Sequence, residues 1–229
     1  LYLKNLEEKI LKILFSFYNL SEDDFIFHGV TGTNGKTTTA FIAHNIIRAL
    51  KRPSVYIGTL GAIINDDLLE TKGNTTPGIF EIFQILQICK FQQKISIFIE
   101  ISSHALAQKR LGNLPFSQTL LLNIQSDHLD YHKTESNYID AKLSIIELNN
   151  KNPAIIFIDK IQDLLKNFSD DQKKQLSKSQ FLSSTDTSAV FKYSLEYNPS
   201  GSSNIKLSFP NLCLDCLLYT SDAADDMAS

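Results

Sequence analysis

The run Phe25-Ile-Phe-His-Gly-Val-Thr-Gly-Thr-Asn-Gly-Lys-Thr-Thr-Thr39 limits the fold more than any other stretch of the chain. Its order is apolar strand, glycine-rich turn, helix start. Gly32 and Gly35 let the backbone turn tightly and come close to a ligand. The first N–H groups of the following helix have no intrahelical partner and can face an anion. Lys36 adds a point charge for β/γ-phosphate oxygens, and the Thr37 hydroxyl suits Mg²⁺. The turn departs from the standard P-loop, G-x-x-x-x-G-K-[ST], by carrying Val30 at the first glycine position. Lys-Thr at a strand-to-helix junction predicts a nucleotide phosphate site. The alternative is an ordinary glycine-rich loop.

The remaining pattern alternates. Strands are expected at Phe25–Val30, Val55–Leu60, Ile95–Ile101, Thr119–Ile124 and Ala154–Ile158, with helical segments between them. Leu3, Leu6, Ile10, Ile13, Leu14 and Phe17 predict a packing face on a helix over Leu1–Tyr18. Ala40, Phe41, Ala43, Ile47 and Leu50 do the same for the helix after the turn, in which His44 is expected to pack or face solvent rather than bind a ligand. Gly61–Gly73 suits a hairpin excursion. Thr76 is expected to cap a helix with Pro77 in its first turn, and Thr134 another that runs to about Leu148. This is the signature of an α/β fold with a doubly wound, mostly parallel sheet. Ligands bind at the carboxyl ends of the strands in such sheets. The turn, Glu100-Ile-Ser-Ser-His104 and Ser126–His132 all fall at such ends.

The pattern changes after Lys160. Helical sequence rich in Lys, Asp and Gln runs to about Lys178. Gln180–Ser184, Val190–Tyr197 and Asn204–Phe209 then predict a smaller antiparallel part. The expected division is a lead-in helix over 1–20, a nucleotide-binding domain over 21–212, and a tail over 213–229 that is disordered or foreign to the fold. Cys213 and Cys216 have no second ligand pair nearby and argue little for zinc or redox chemistry.

Composition sets outer limits. The chain has 229 residues, 43% hydrophobic and 21% charged, enough for one large domain. Its net charge of −3 points to neither nucleic acid nor an acidic membrane surface. No run approaches the ~18 apolar residues of a membrane span. Lys4, Glu7, Glu8, Lys9 and Lys12 break the first twenty residues, unlike a signal peptide. Three cysteines make no disulfide framework, so a reducing cytoplasm is expected. A first residue of Leu suits a piece of a longer protein.

Three groups can carry chemistry. Glu100 ends an apolar run, where a buried carboxylate needs a partner. Mg²⁺ at the neighbouring phosphate site is one candidate; an ion pair or a solvated strand end is the other. Asp127, His128, Asp130 and His132 crowd one turn. One histidine there suits a metal, while Asp130 and His132 read equally well as turn and cap residues. By spacing alone, Lys142 is a surface lysine.

Five ordered motifs carry a resemblance: Val30-Thr-Gly-Thr-Asn-Gly-Lys-Thr-Thr38, Asn74-Thr-Thr-Pro77, Glu100-Ile-Ser-Ser-His-Ala-Leu106 with Gln108 and Arg110, Asp127-His-Leu-Asp-Tyr-His132, and Tyr138-x-x-Ala-Lys142. Together they resemble the Mur ligases, above all those that add the third residue of the peptidoglycan stem peptide. The resemblance runs from about Leu3 to Asp159 and more loosely to Pro210. It implies an ATP-dependent ligase that joins an amino acid to UDP-MurNAc-L-Ala-D-Glu through an acyl phosphate. Implied too are ATP held by Gly32, Thr33, Asn34, Gly35, Lys36, Thr37 and Thr38, and Mg²⁺ held by Thr37 and Glu100, with a second Mg²⁺ at His128. Asn74, Thr75, Thr76, Ser102, Gln108 and Arg110 would bind the UDP-MurNAc-dipeptide. Lys142 would become a metal-binding carbamate. Lys36, Lys142 and His128 form the implied catalytic set. Of the family's N-terminal domain only the junction helix is expected here, and its C-terminal domain finds no room after Asp159, so the chain is expected to be a central domain that does not ligate alone; a monomer in the cytoplasm is expected as well. Folylpolyglutamate synthase-like ligases, other Mur ligases and a P-loop ATPase or metal-dependent hydrolase are the rival readings.

Overall fold

The computed structural model of the chain describes residues 6–219 except 65, 90–93, 126, 150–151, 198–201 and 210–211. In chain order the elements are α1 (Leu6–Phe17), β1 (Phe25–Thr31), α2 (Lys36–Ala49), β2 (Ser54–Gly58), β3 (Gly61–Ile64), β4 (Asp67–Leu69), α3 (Ile79–Ile88), β5 (Ile95–Glu100), α4 (Ser103–Ala107) and β6 (Phe116–Leu121). Then follow α5 (Leu129–His132), α6 (Glu135–Leu143), β7 (Ile155–Phe157), α7 (Asp170–Leu176), β8 (Gln180–Ser183), β9 (Phe191–Tyr197), β10 (Ser202–Phe209) and β11 (Leu212–Tyr219). Among the described residues, eleven strands form one sheet in the order β11-β10-β9-β8-β7-β6-β1-β5-β2-β3-β4.

The centre is parallel: β1 lies between β5 and β6, β2 beside β5, and β7, β8 and β9 follow in the same direction. The hairpin of β3 and β4 closes one edge and β10 and β11 extend the other, all antiparallel. The expected fold class holds. The expected antiparallel start at Gln180 does not, because β8 is parallel to both its neighbours.

Side-chain alternation along the central strands feeds two cores. Ile95, Ile97 and Ile99 of β5 enter the larger core with Val55 and Ile57 of β2 and Ile82, Phe83 and Leu86 of α3. Phe98 and Tyr56 point the other way, against Ala40 of α2 and Val30. Ile97 and Ile99 are fully buried, each contributing about 1.5–3 kcal/mol. The same parity sends Glu100, two residues beyond Phe98, toward α2.

Several local expectations need correction. Among the described side chains of α1, Leu14 and Phe15 are buried, with Ile10, Leu11 and the following Tyr18 packed beside them, whereas Ile13 and Phe17 are exposed. Leu3 lies outside the described residues. Leu50 is exposed. His44 agrees with its expectation of a packing role, being buried with Nδ1 3.0 Å from Ser54 Oγ. The helix after Pro77 is capped by Gly78, and the Thr76 hydroxyl is spent on Glu100 O at 2.8 Å instead. β6 begins at Phe116, since its register with β1 pairs Thr31 with Leu121 and leaves Leu122–Ile124 as a connecting segment. Regular pairing in β11 continues to Tyr219, past the tail boundary expected at 212; residues 220–229 lie outside the described residues. No helix among the described residues is long and apolar enough to cross a membrane.

Candidate nucleotide and metal site

The turn after β1 is held from below by the segment after β6. Gly35 caps α2 at φ +84°, in the left-handed region open to glycine. A Cβ at Gly32 would press on Asn34 O and Leu122 Cβ at 3.0 Å. Asn34 N–H donates to Asn123 Oδ1 at 3.0 Å, and Asn123 Nδ2 donates to Asn34 O at 3.0 Å. Asn34 Nδ2 donates to Gln125 Oε1 at 2.9 Å. The Thr33 hydroxyl accepts from Gln125 N at 2.9 Å and bonds Tyr138 OH at 2.9 Å. The Lys36 ammonium folds onto the loop, donating to Gly32 O at 2.9 Å and Thr33 O at 3.0 Å. Burial lowers its pKa, while the charges of Glu100 and Asp127 act to raise it. Thr38 is exposed on the first turn of α2.

Glu100 sits beside this loop because β1 and β5 pair Val30 with Glu100. It is fully buried. Its Oε2 accepts from Thr37 Oγ1 at 2.9 Å and Thr59 Oγ1 at 3.1 Å. Its Oε1 accepts from Thr59 N at 3.0 Å and from the Tyr56 hydroxyl. Burial, then the hydrogen bond to Glu100, pushes the Tyr56 phenol well above its usual range. Gly58 makes room, since a Cβ there would collide with the Glu100 carboxylate and the Tyr56 hydroxyl.

The substrate-type residues expected from sequence form a second network on the adjoining strand ends. Thr76 Oγ1 accepts from Ser102 N at 2.9 Å, and Ser102 Oγ caps α4 by accepting from Ala105 N at 3.2 Å. Arg110 donates to Gln108 Oε1 at 2.7 Å and to Thr76 O at 3.3 Å. Gln108 also reaches Tyr131 OH at 3.0 Å. Thr75 Oγ1 lies 3.4 Å from Thr59 Oγ1, which ties this network to the Glu100 shell. Asn74 is exposed.

Lys142 departs most from its sequence expectation. The side chain that spacing placed on the surface is 2% exposed. Its Nζ lies 5.1 Å from the centre of the Tyr138 ring. Burial, then the charge of Lys36, lowers its pKa to about 7, against a small upward pull from Asp127. His128 is exposed at φ 52° and caps α5 by its backbone position. Its described contacts are with Asp127, His104 and Tyr138, and none is with Thr37 or Glu100. His132 is buried, bonding Ser103 Oγ at 3.1 Å and packing edge-on to Tyr138. Burial, then neighbouring imidazoles, holds both His104 and His132 below the usual histidine range.

Among the described residues no group of three or more His, Cys, Asp or Glu side chains could hold a metal. A cation here would rely on Thr37, Glu100 and ligand oxygens, which is how Mg²⁺ is usually bound beside phosphates. Tyr56, Gly58, Thr59 and Asn123 were absent from the sequence expectation. Only one signal could have found them: Gly58-Thr59 ends a buried strand at the same sheet edge, and a buried tyrosine hydroxyl needs a partner.

The Mur ligase middle domain matches residues 30–216 of the chain. The UDP-N-acetylmuramoyl-L-alanyl-D-glutamate–2,6-diaminopimelate ligase of Helicobacter hepaticus is 42% identical over 149 residues, 62% of this chain and 32% of that protein. The ligase of the same name from Buchnera aphidicola subsp. Baizongia pistaciae is 40% identical over 159 residues, 69% of this chain and 31% of that protein. The chain thus spans about a third of the length of these curated relatives. A solved structure of such a 2,6-diaminopimelate ligase superimposes with TM-score 0.68 at 26% identity, covering 83% of this chain and 38% of that one. The crystal structure of MurF ligase from Thermotoga maritima in complex with ADP shares the fold alone, at TM-score 0.60 and 18% identity, over 96% of this chain and 46% of that one. Matched along most of its length by the family's middle domain, with a lysine-bearing loop and a buried glutamate at one sheet edge, this chain belongs to the Mur ligase family.

Proposed function

We propose that this chain is the nucleotide- and metal-binding part of an ATP-dependent ligase of the cytoplasm. The ligase adds an amino acid to UDP-MurNAc-L-Ala-D-Glu during peptidoglycan precursor synthesis. One observation carries the reading: Thr37 Oγ1 and Glu100 Oε2 are 2.9 Å apart at the mouth of the Gly32–Lys36 loop. Octahedral Mg²⁺ takes oxygen ligands at about 2.0–2.1 Å, which sets adjacent ligands about 2.9 Å from each other. The pair therefore fits two neighbouring positions on one ion. The exposed His128 would contribute to a second Mg²⁺. When bound there, Mg²⁺ would supply neutralisation of the phosphate charge.

The chain's own groups account for the rest of the chemistry. The residues from Gly32 to Thr38 would hold the triphosphate through loop and helix N–H groups. Lys36 would leave Gly32 O and Thr33 O for the γ-phosphate, a stronger acceptor than a carbonyl. Asn74, Thr75, Thr76, Ser102, Gln108 and Arg110 would bind the UDP-MurNAc-dipeptide, with its terminal carboxylate facing the γ-phosphorus. Attack by that carboxylate gives an acyl phosphate and ADP. The amino-acid amine then displaces phosphate through a tetrahedral adduct, losing its proton on the way. Alignment and charge do most of this work.

Lys142 has the chemistry for a carbamate. With a pKa near 7, a large share of the amine is neutral and nucleophilic at neutral pH. Addition to CO₂ forms an N–C bond, releases a proton and leaves an anion. The Lys36 charge that disfavours the ammonium form would attract that anion.

The test uses the protein that carries this chain, with UDP-MurNAc-L-Ala-D-Glu, ATP, Mg²⁺ and a panel of amino acids. Because the curated relatives are named for it, 2,6-diaminopimelate is the first acceptor to try. ADP release that requires both the dipeptide and an amino acid supports the reading. ATP turnover indifferent to both sinks it and favours the hydrolase.

A further inference from the structure

We infer that Tyr56 is a positioning residue for the carboxylate of Glu100, pinning Oε1 so that Oε2 is the oxygen presented to a cation. The inference rests on the reading of Glu100 as a Mg²⁺ ligand.

Tyr56 lies in the middle of β2 and is fully buried. Its ring packs in the smaller core with Val30, Ala40 and Phe98, edge-on to Phe41 at 5.8 Å between centroids. Packing alone would be served by phenylalanine. The hydroxyl, however, is committed on both sides: it donates to Glu100 Oε1 and accepts from Leu60 N–H at 3.3 Å. The Leu60 amide occupies the oxygen's lone-pair side and thereby aims the phenolic proton at the carboxylate. Gly58 follows two residues later on the same face of the strand. With no side chain there, the phenol can reach past it to Glu100.

The two carboxylate oxygens are consequently held in different ways. Oε1 is gripped by a backbone amide, Thr59 N, and by a phenol already tied to Leu60. The amide cannot turn away, and the Leu60 N–H on the phenol's lone-pair side keeps its proton directed at Oε1. Oε2 meets only the hydroxyls of Thr37 and Thr59. A hydroxyl can rotate its proton aside and offer a lone pair instead. Glu100 is therefore fixed at one oxygen and exchangeable at the other, as expected of a carboxylate oriented by outer-shell partners.

Tyr56→Phe keeps the ring and removes the donor. In the 229-residue chain, Mn²⁺ affinity is read by electron paramagnetic resonance of free Mn²⁺ at saturating ADP, and ADP affinity in EDTA by calorimetry. The expected result is unchanged ADP affinity in EDTA with Mn²⁺ binding weakened about 10-fold. Phe98→Leu, in the same core and without a bond to Glu100, is expected to lower the melting temperature and leave Mn²⁺ affinity alone. Equal Mn²⁺ affinity in Tyr56→Phe and the parent chain overturns the inference while the site reading stands. So does a parallel loss of ADP binding in EDTA, which marks a structural role only. A parent chain that binds ADP with no gain from Mn²⁺ overturns the site reading, and the inference with it.

Discussion

Thr37 Oγ1 stands 2.9 Å from Glu100 Oε2, although the two residues are 63 positions apart in the chain. Two features of the fold bring them together. The β1–β5 register sets Val30 opposite Glu100, and the turn after β1 returns the chain so that α2 begins directly above that edge. Glu100→Gln keeps the shape but replaces an acceptor oxygen with an NH₂ group that faces donors. The expected cost is about 1–3 kcal/mol of folding stability, read by urea unfolding, together with loss of any gain in nucleotide affinity from Mg²⁺. Full retention of that gain would count against a metal on Glu100.

Gly58→Ala should be far worse than its size suggests. The new methyl would collide with the Glu100 carboxylate and the Tyr56 hydroxyl, and both are fixed by neighbours. Gly78→Ala meets nothing within 4 Å. Melting curves of the two variants are expected to differ by several degrees, Gly58→Ala being the lower, and only Gly58→Ala should impair Mn²⁺ binding. Similar curves would mean that the carboxylate shell gives way easily.

Asn123→Ala removes both bonds that clasp the Asn34 backbone from outside the loop. An unfilled loop then becomes less ordered, and nucleotide binding must supply the ordering. The expected effect is about 10-fold weaker ADP binding, corresponding to roughly 1.4 kcal/mol, with little change in melting temperature because the site is exposed. Unchanged ADP affinity would show that the loop holds its shape unaided.

Lys142 gives a pH dependence of known sign. Its pKa falls from 10.5 to about 7 in the folded chain. Between those values the unfolded chain binds a proton that the folded chain does not, so this group makes stability rise with pH from about 7 to about 10.5. Below pH 7 both forms are protonated and the penalty of burying the charge is complete. Lys142→Met should remove this slope and stabilise the chain at pH 7, by at most about 5 kcal/mol. Urea unfolding of both proteins at pH 7, 8 and 9, in buffer freed of CO₂, measures it. Identical slopes would mean that the amine reaches water.

The strand–turn–helix unit around Gly32–Thr37 was legible in the sequence because its signal is local: glycines, Lys36 and Thr37 are nearly consecutive, and a strand and a helix flank them. Glu100 was legible as a charge ending an apolar strand, an arrangement that costs too much without a partner. Tyr56 was not, since a tyrosine within Val55–Ile57 looks like one more core residue until its hydroxyl has a partner. Lys142 was misread because helical spacing reports only its own helix. Its burial arises where α6 meets the Gly32–Lys36 turn through Tyr138. The start of β6 slipped by three residues for a similar reason. Phe116–Ile124 is apolar enough at both ends for either register, and pairing with β1 decided between them.

The most direct test of the account is a crystal structure of the chain with a non-hydrolysable ATP analogue and Mn²⁺, located by anomalous scattering. The expected result is one Mn²⁺ bonded to both Thr37 Oγ1 and Glu100 Oε2, with Lys36 moved from Gly32 O and Thr33 O onto the γ-phosphate. A metal held by the phosphates alone, with the Thr37 hydroxyl still bonded to Glu100, would contradict it.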